Sequence, residues 1–271
     1  MTTTASLSGK LLITKDGPVT TVTLNRPEVH NALDKELSKE LNLAMKEIDT
    51  DRDVRVVVIK GAGETFCAGD DIKGFASFEP DDPLWEIRMY QQTVNLIDNL
   101  VPVTIAAVDG VCVGGGLELT LVCDFVVATD RSRWGMPEIN WNITPGWGGT
   151  GRLSKFAGRR KTKEWNLIGA LFDAHTAERH DLVNRVVAAE RLDDEVGELV
   201  DAILARDAKT VTTTKYFIDK AADLDMWSSM FFEGAPPRGS DRTGILAFAD
   251  PDLRAKRSKN RDFWQDHEPV D

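Results

Sequence analysis

The chain has 271 residues, of which 42% are hydrophobic and 28% are charged, an ordinary composition for a globular protein with a large core. Its net charge of −11 argues against a nucleic-acid-binding protein, because such a protein needs a basic face. No apolar run reaches the roughly 20 residues of a membrane span, and the first residues lack the pattern of a secretory signal. The three cysteines are too scattered for a metal site, so we expect a cytoplasmic protein in a reducing compartment.

Strand-like and helical patterns alternate along the first two thirds of the chain, which predicts an α/β fold with a parallel-type sheet and helical crossovers. From about residue 192 the pattern is helical, so we expect a body at 1–195 and a helical C-terminal region at 196–271. In chain order the predicted elements are strands at "LLITKD" and "VTTVTLNRP", a helix at "ALDKELSKELNLAMKEIDTD" capped by Asp34, a buried strand at "VRVVVIKGAG", a helix from about Trp85 to Leu100, a buried strand at "VTIAAVDGVCVGG", a helix at "LELTLVCDF", a strand at "FVVATD", a strand and turn at "RWGMPEINW" and a helix at "TGRLSKFAG".

Three glycine-rich pieces are candidates for ligand-binding loops. "GWGGTG" (146–151) satisfies G-x-G-x-x-G, but a dinucleotide site also needs a strand directly before it and a suitable acidic residue after the next strand. Both are missing here, so we predict no dinucleotide site. "FCAGDD" (66–71) and "GGGLE" (114–118) each follow a buried strand, and their backbone N–H groups are suited to stabilise negative charge. Two such groups converging on one carbonyl oxygen would form an oxyanion hole, whereas either loop alone could be only a tight turn.

Two glutamates are candidate acid–base residues. Glu118 stands at the head of the apolar run 119–125, where an ionised carboxylate is costly unless it is paired or solvated. Glu138 follows a proline in "MPE". Taken alone, Glu118 could be a buried structural acid and Glu138 a surface acid on a turn.

Together these pieces resemble the crotonase (enoyl-CoA hydratase/isomerase) superfamily over nearly the whole chain. The resemblance implies a spiral of ββα units with a helical C-terminal trimerisation region, a homotrimer or dimer of trimers, and an acyl-CoA thioester as the substrate, with no separate cofactor and no metal. The matching stretches are "TVTLNRPEVHNALD", "GAGETFCAGDDIK", "VDGVCVGGGLELTLVCDFVVATD" and "GMPEINWNITPGWGGTGRL", with a weaker match at "GILAFADPDLRAKRSKNRDFW".

By matching positions, Glu118 and Glu138 correspond to the two glutamates of the family's hydratases. The backbone N–H groups of Asp70 and Gly115 correspond to its oxyanion hole. The resemblance also implies that the loop 66–73 curls around the adenine and that aromatic residues near the C-terminus approach the nucleotide, often from a neighbouring subunit. The implied CoA-binding residues are Phe66, Cys67, Ala68, Gly69, Lys73, Phe248 and Phe263.

The sequence departs from the family pattern at two places. Asp70 occupies an oxyanion position that is more often small or apolar, so we expect its carboxylate to point away from the enolate or to pair with a cation. Trp147 replaces a small residue. The four aromatic residues Phe75, Trp85, Trp141 and Trp147 together predict an acyl pocket for a bulky cyclic or aromatic group. Each of them could instead pack in the core.

The two glutamates favour an enoyl-CoA hydratase, a lyase. The alternative activities are those of a ring-opening β-diketone hydrolase and an enoyl-CoA isomerase. The alternative to an enzyme is a non-catalytic member of the superfamily that binds acyl-CoA or RNA. The acidic charge disfavours RNA. "EINW" is also similar to the turn of hydroxycinnamoyl-CoA hydratase-lyases, but those lack a glutamate at position 118. A subunit interface is expected at the apolar residues Trp227, Met230, Phe231 and Phe232.

Overall fold

A computed structural model describes residues 1–75 and 83–234, with the side chains of 75, 83–86 and 231–234 outside the description. Its strands are β1 (Thr2–Ala5), β2 (Leu11–Asp16), β3 (Val19–Leu24), β4 (Val56–Gly61), β5 (Val103–Val108), β6 (Val111–Val113), β7 (Phe125–Thr129), β8 (Arg133–Gly135), β9 (Phe172–Asp173) and β10 (Arg185–Val187). Its helices are α1 (Lys35–Thr50), α2 (Ile72–Phe75), α3 (Pro83–Asp98), α4 (Gly115–Thr120), α5 (Gly149–Phe156), α6 (Gly158–Ile168), α7 (Ala174–Arg179), α8 (Leu192–Leu204), α9 (Ala208–Ala221) and α10 (Met226–Gly234). Short 3₁₀ segments lie at Pro27–Val29, Pro137–Trp141 and Ala189–Arg191.

Within the described ranges, seven strands form the main sheet in the order β1-β2-β3-β4-β5-β7-β10. In this sheet the pairs β3-β4, β4-β5, β5-β7 and β7-β10 are parallel, whereas the pairs β1-β2 and β2-β3 are antiparallel. A smaller sheet has the order β6-β8-β9. The central strands β4 and β5 are buried along most of their length, as their continuous apolar runs predict for parallel strands covered on both faces. The predicted α/β class and parallel sheet are confirmed.

Helix α1 begins where its sequence predicts. The side chain of Asp34 accepts a hydrogen bond of 2.8 Å from the backbone N–H of Leu37, so Asp34 is the N-cap. The apolar side chains at helical spacing, Leu37, Leu41, Met45 and Ile48, are buried, and this face packs in the core that α3 also joins.

The helix that follows the three glycines is shorter than its apolar sequence predicts. We expected it to run through "LELTLVCDF", but α4 ends at Thr120 and the chain turns before β7. The carboxylate of Asp124 accepts hydrogen bonds from the backbone N–H and the hydroxyl of Thr104, at 2.7 and 3.0 Å, which fixes the start of β7 beside β5. Pairing within the sheet therefore ends the helix, although the apolar pattern continues.

By its contacts the chain divides into a unit of residues 1–200 and a second unit that begins at Asp201. In the second unit α9 packs against α10. The boundary expected at 195/196 falls inside α8 (Leu192–Leu204) and stays a prediction. None of the helices in the described residues is long and apolar enough to cross a membrane.

Candidate active site

Two of the three glycine-rich pieces meet where β4 and β6 lead into their loops. Cys67 and Cys112 form an isolated parallel bridge between the two chain segments. Gly69 has a positive φ of 84°, and a Cβ atom there would lie 2.9 Å from the carbonyl oxygen of Val113 and 3.1 Å from the backbone nitrogen of Gly115. Only a glycine permits this close approach of the two backbones.

The two predicted oxyanion donors lie at this junction. Gly115 is the first residue of α4, where backbone N–H groups have no partner inside the helix. Leu33 pairs with the neighbouring loop, donating to the carbonyl of Gly69 and accepting from the N–H of Asp71 at 2.9 Å. Among the described residues, no acceptor is found for the backbone N–H of Asp70 or of Gly115. The loop is therefore held by its flanking atoms, and both N–H groups remain available to a ligand.

The third glycine-rich piece binds the carboxylate of Glu118. Oε1 of Glu118 accepts hydrogen bonds from the backbone N–H groups of Trp147 at 3.0 Å and Gly149 at 2.6 Å. Gly149 is the first residue of α5, and Gly148 before it has a φ of 96°. A helix N-terminus is a favourable place for a carboxylate because its N–H groups point outward. "GWGGTG" is thus an anion receptor for a side chain of this protein, and no strand comes directly before it, because the 3₁₀ segment Pro137–Trp141 lies between β8 and this turn.

Arg152 holds this receptor turn in place. Its guanidinium donates to Asp98 at 2.9 Å and to Asn95 at 2.7 Å, both on α3. The same side chain lies so close to Gly148 that a Cβ atom there would clash with it. The turn is consequently braced against α3, which fixes the direction of the N–H groups that Glu118 accepts from.

Glu118 keeps one oxygen without a partner. Its side chain is 1% exposed, and Oε2 makes no hydrogen bond with any described residue. Burial raises the pKa of Glu118 to about 8, against the opposing effect of the Gly149 N–H and with a further increase from nearby Glu138. Since Oε1 already accepts two N–H groups, a proton on this carboxyl belongs on Oε2.

Glu138 approaches the same glycines from the 3₁₀ segment Pro137–Trp141. Its Oε1 lies 3.1 Å from the position that a Cβ atom of Gly114 would take, and its Oε2 is buried without a partner in the described part of the chain. Burial raises the pKa of Glu138 to about 7, and the carboxylate of Asp70 raises it further. The carboxyl groups of the two predicted glutamates therefore lie close enough for the charge of Glu138 to raise the pKa of Glu118.

Asp70 adds a third carboxyl group to this cluster. Its Oδ1 accepts a hydrogen bond of 2.9 Å from the indole Nε1–H of Trp147, and burial raises its pKa to about 6. It also raises the pKa of Glu118 and Glu138, so it lies near both. No cation among the described residues pairs with Asp70, and the expectation that its carboxylate points away from the enolate stays a prediction. Its partner is a neutral N–H group, which satisfies one oxygen without neutralising the charge.

Trp147 is not an exposed wall of an acyl pocket. Its side chain is 0% exposed, and its ring stacks on Tyr90 with centroids 4.6 Å apart and planes at 5°. The interior satisfies both properties of the side chain, because the ring gains stacking and its N–H gains an acceptor. Trp141, in contrast, is 57% exposed. The side chains of Phe75 and Trp85 lie outside the described residues.

The predicted nucleotide loop is only partly open to a ligand. The side chains of Phe66 and Cys67 are in the core, 1% and 0% exposed, so only their backbone atoms could contact CoA, and their assignment to CoA binding stays a prediction. Ala68 and Gly69 form the backbone of the loop, and Lys73 is exposed on α2. Phe248 and Phe263 lie outside the described residues.

Sequence reasoning missed the receptor formed by the N–H groups of Trp147 and Gly149. The signal was present, since a glycine-rich turn that opens a helix is an anion site for any ligand, including a side chain. In the part of the chain that is described, no group of three or more His, Cys, Asp or Glu side chains is placed to hold a metal ion.

Comparisons with known proteins show the family to which the chain belongs. The sequence model of the family described as enoyl-CoA hydratase/isomerase matches residues 14–232. YngF of Bacillus subtilis, named as an enoyl-CoA hydratase/isomerase, is 36% identical over 246 residues, which cover 89% of this chain and 95% of YngF. The short-chain-enoyl-CoA hydratase of Clostridium acetobutylicum is 33% identical over 224 residues, covering 82% of this chain and 86% of that protein. The crystal structure of an enoyl-CoA hydratase from Bacillus anthracis superposes with a TM-score of 0.82 at 30% identity, covering 89% of this chain and 96% of that chain.

Proposed function

Because the chain belongs to the enoyl-CoA hydratase/isomerase family, the crotonase superfamily, we propose that it adds water across the α,β-double bond of an enoyl-CoA thioester. The observation that carries this proposal is the pair of carboxyl groups beside the glycine loops. Glu118 and Glu138 each keep one buried oxygen that no described residue satisfies. Both have a raised pKa, so the pair can hold one proton near neutral pH.

The thioester oxygen would accept hydrogen bonds from the N–H groups of Asp70 and Gly115. Enolate character develops on this oxygen when water attacks the β-carbon, and fixed donors stabilise it more in the transition state than in the ground state. Removing one donor of this kind costs about 2.7–4 kcal/mol in the barrier. The bare glycines 69, 114 and 115 allow the thioester to approach the N–H groups closely.

The two carboxyl groups complete the proton balance. The ionised carboxylate takes a proton from the water whose oxygen bonds to the β-carbon, and the protonated carboxyl gives its proton to the α-carbon. The product is a β-hydroxyacyl-CoA, and the pair again holds one proton. CoA enters as part of the substrate. The backbone at Ala68 and Gly69 and the exposed ammonium of Lys73 are the described groups that we propose for its nucleotide end.

The acyl group is proposed to be bulky and planar, a cyclic or aromatic one, although Trp147 no longer supports this. Trp141 supports it, because it is exposed three residues after Glu138. Trp141→Leu is then expected to raise KM for an aromatic enoyl-CoA and to leave the KM for crotonyl-CoA near its original value.

The experiment tests a panel of linear, branched, cyclic and aromatic 2-enoyl-CoA esters as substrates. Hydration is monitored as the loss of absorbance of the conjugated thioester. 3-Enoyl-CoA and cyclic β-diketone esters are included; isomerisation of a 3-enoyl ester is detected as a gain of this absorbance, and ring opening of a β-diketone by chromatography of the products. Hydration of at least one 2-enoyl ester supports the proposal. Turnover confined to the 3-enoyl or the β-diketone esters would move the protein to the isomerase or the ring-opening hydrolase branch.

A further inference from the structure

Trp147 and Asp70, the two residues that depart from the family pattern, form a hydrogen bond with each other through their side chains. They lie 77 positions apart in the sequence, yet the indole Nε1–H of Trp147 donates to Oδ1 of Asp70 at 2.9 Å. A buried indole N–H needs an acceptor, and a buried carboxyl needs a donor, so each residue explains the other.

Trp147 also forms a hydrogen bond with Glu118, through its backbone rather than its side chain. Its backbone N–H donates to Oε1 of Glu118 at 3.0 Å, while its side chain reaches the Asp70 loop. One residue therefore connects the acid–base carboxyl to the loop that carries an oxyanion donor. The backbone bond would survive a change of the side chain, which makes the two connections separable by mutation.

The ring itself is held on two sides. It stacks on Tyr90 of α3, with centroids 4.6 Å apart. A Cβ atom on Gly115 would lie 3.3 Å from Nε1 and 3.4 Å from Cδ1 of Trp147, so the ring edge lies against the residue that carries the second oxyanion donor. With no exposed surface, the ring has no room to leave this position without moving one of these neighbours.

We propose that Trp147 is a positioning residue for the oxyanion hole, whose indole N–H fixes the Asp70 carboxyl and thereby the direction of the Asp70 backbone N–H. This inference rests on the proposed function, since it assigns that N–H to the thioester oxygen. Fixing Oδ1 against the indole also sets the carboxyl in one rotamer, which limits the freedom of the backbone that bears the donor. A donor used in the transition state affects kcat more than KM.

The test is a double-mutant cycle of Trp147→Phe and Asp70→Ala, with Asp70→Asn as the conservative variant. Phenylalanine keeps the backbone N–H to Glu118 and a ring to stack on Tyr90, but removes the indole N–H. We expect Trp147→Phe to lower kcat about tenfold with little change in KM, and to have a much smaller effect in the Asp70→Ala background. Asp70→Asn, which keeps an acceptor oxygen, should retain more turnover than Asp70→Ala.

Trp134→Phe is the matched control. Trp134 is also fully buried, and its indole N–H donates to the hydroxyl of Ser132 at 2.8 Å. Its loss should lower the melting temperature without lowering kcat. Equal effects of Trp147→Phe on kcat in the wild-type and Asp70→Ala backgrounds, or an unchanged kcat, would overturn the inference.

A spectrum of the indole ¹⁵N–H groups separates this inference from the proposed function. The resonance that disappears in Trp147→Phe should shift in Asp70→Ala, and its failure to shift would overturn the inference. If the wild type proves to be an isomerase or a hydrolase, the proposed hydration fails. The cycle is then run on that thioester reaction, which also develops charge on the carbonyl oxygen.

Discussion

The backbone N–H of Gly149 donates a hydrogen bond of 2.6 Å to Oε1 of Glu118, across 31 positions of the sequence. A Cβ atom on Gly149 would lie 2.7 Å from both Cγ and Oε1 of Glu118, so Gly149→Ala must displace this carboxyl group. We expect kcat to fall by about 10², as for other misplacements of a catalytic group by an ångström. The measurement is kcat on the best enoyl-CoA, with circular dichroism to confirm folding.

Gly151→Ala is the matched control, because Gly151 lies on the same helix and nothing surrounds its Cβ position within 4 Å. It should leave kcat unchanged and stabilise α5 by about 0.5–1 kcal/mol. Equal activity of the two variants would show that the receptor does not position Glu118 for the reaction.

Glu118→Gln and Glu138→Gln should each lower kcat by a factor of roughly 10² or more, as expected when a positioned acid or base is removed. Glutamine has nearly the same shape, and its amide oxygen can still accept from the N–H groups of Trp147 and Gly149. The native fold and the affinity for a CoA ester should therefore change little, and the variants should not be less stable than the wild type. Single-turnover kinetics, ligand binding and melting temperature are measured together.

Glu164→Gln, an exposed change on α6, is the control and should behave as the wild type. Full activity of Glu118→Gln would reject the mechanism with two carboxyl groups. Loss of folding without any separate effect on kcat would leave Glu118 a structural acid.

The ligand-free protein should lose stability as the pH rises through the range in which the buried glutamates ionise. The pKa is raised to about 8 for Glu118 and to about 7 for Glu138, whereas an unfolded chain has a glutamate pKa of about 4.3. Between these values the native state binds more protons than the unfolded state, so the free energy of unfolding falls with increasing pH.

The double variant Glu118→Gln/Glu138→Gln lacks this loss. Its melting temperature relative to the wild type, measured by calorimetry, should therefore rise from pH 5 to about pH 8 and then level off, because both glutamates are ionised in both states at higher pH. The same comparison with Glu164→Gln should show no trend. A difference between double variant and wild type that is constant or shrinks with pH would contradict the raised pKa values.

The protein is expected to be a trimer or a hexamer in solution. Trp227 and Met230 on α10 are 80% and 59% exposed in the single chain, and exposed apolar patches of this kind mark interfaces. The expected interface residues Phe231 and Phe232 have side chains outside the described part. Sedimentation at micromolar concentration measures the assembly, and Trp227→Glu/Met230→Glu should dissociate it.

Leu7→Glu, a change at an exposed leucine between β1 and β2, should leave the assembly intact. A wild-type monomer at micromolar concentration would reject the proposal.

Much of the fold follows from local pattern. The continuous apolar runs of β4 and β5 predict buried parallel strands, and Asp34 before a run of period 3.6 predicts the start of α1. These predictions hold because each signal, the apolar run or the capping residue before a helix, is contained within a short stretch of the sequence. Strand β1 was not predicted, since its threonines are exposed and only pairing with β2 makes it a strand.

The residues of the candidate site were predictable from the sequence, but their contacts were not. Glu118, Glu138 and the two glycine loops could be named from the sequence through the family resemblance, because each is recognisable within its own short segment. Their environment could not. Only the tertiary structure decided that the "GWGGTG" turn receives Glu118, and that Asp70 bonds to Trp147 rather than to a cation. Periodicity records whether a residue is buried, whereas the donor that a buried carboxyl meets depends on which distant backbone the fold brings within 3 Å of it.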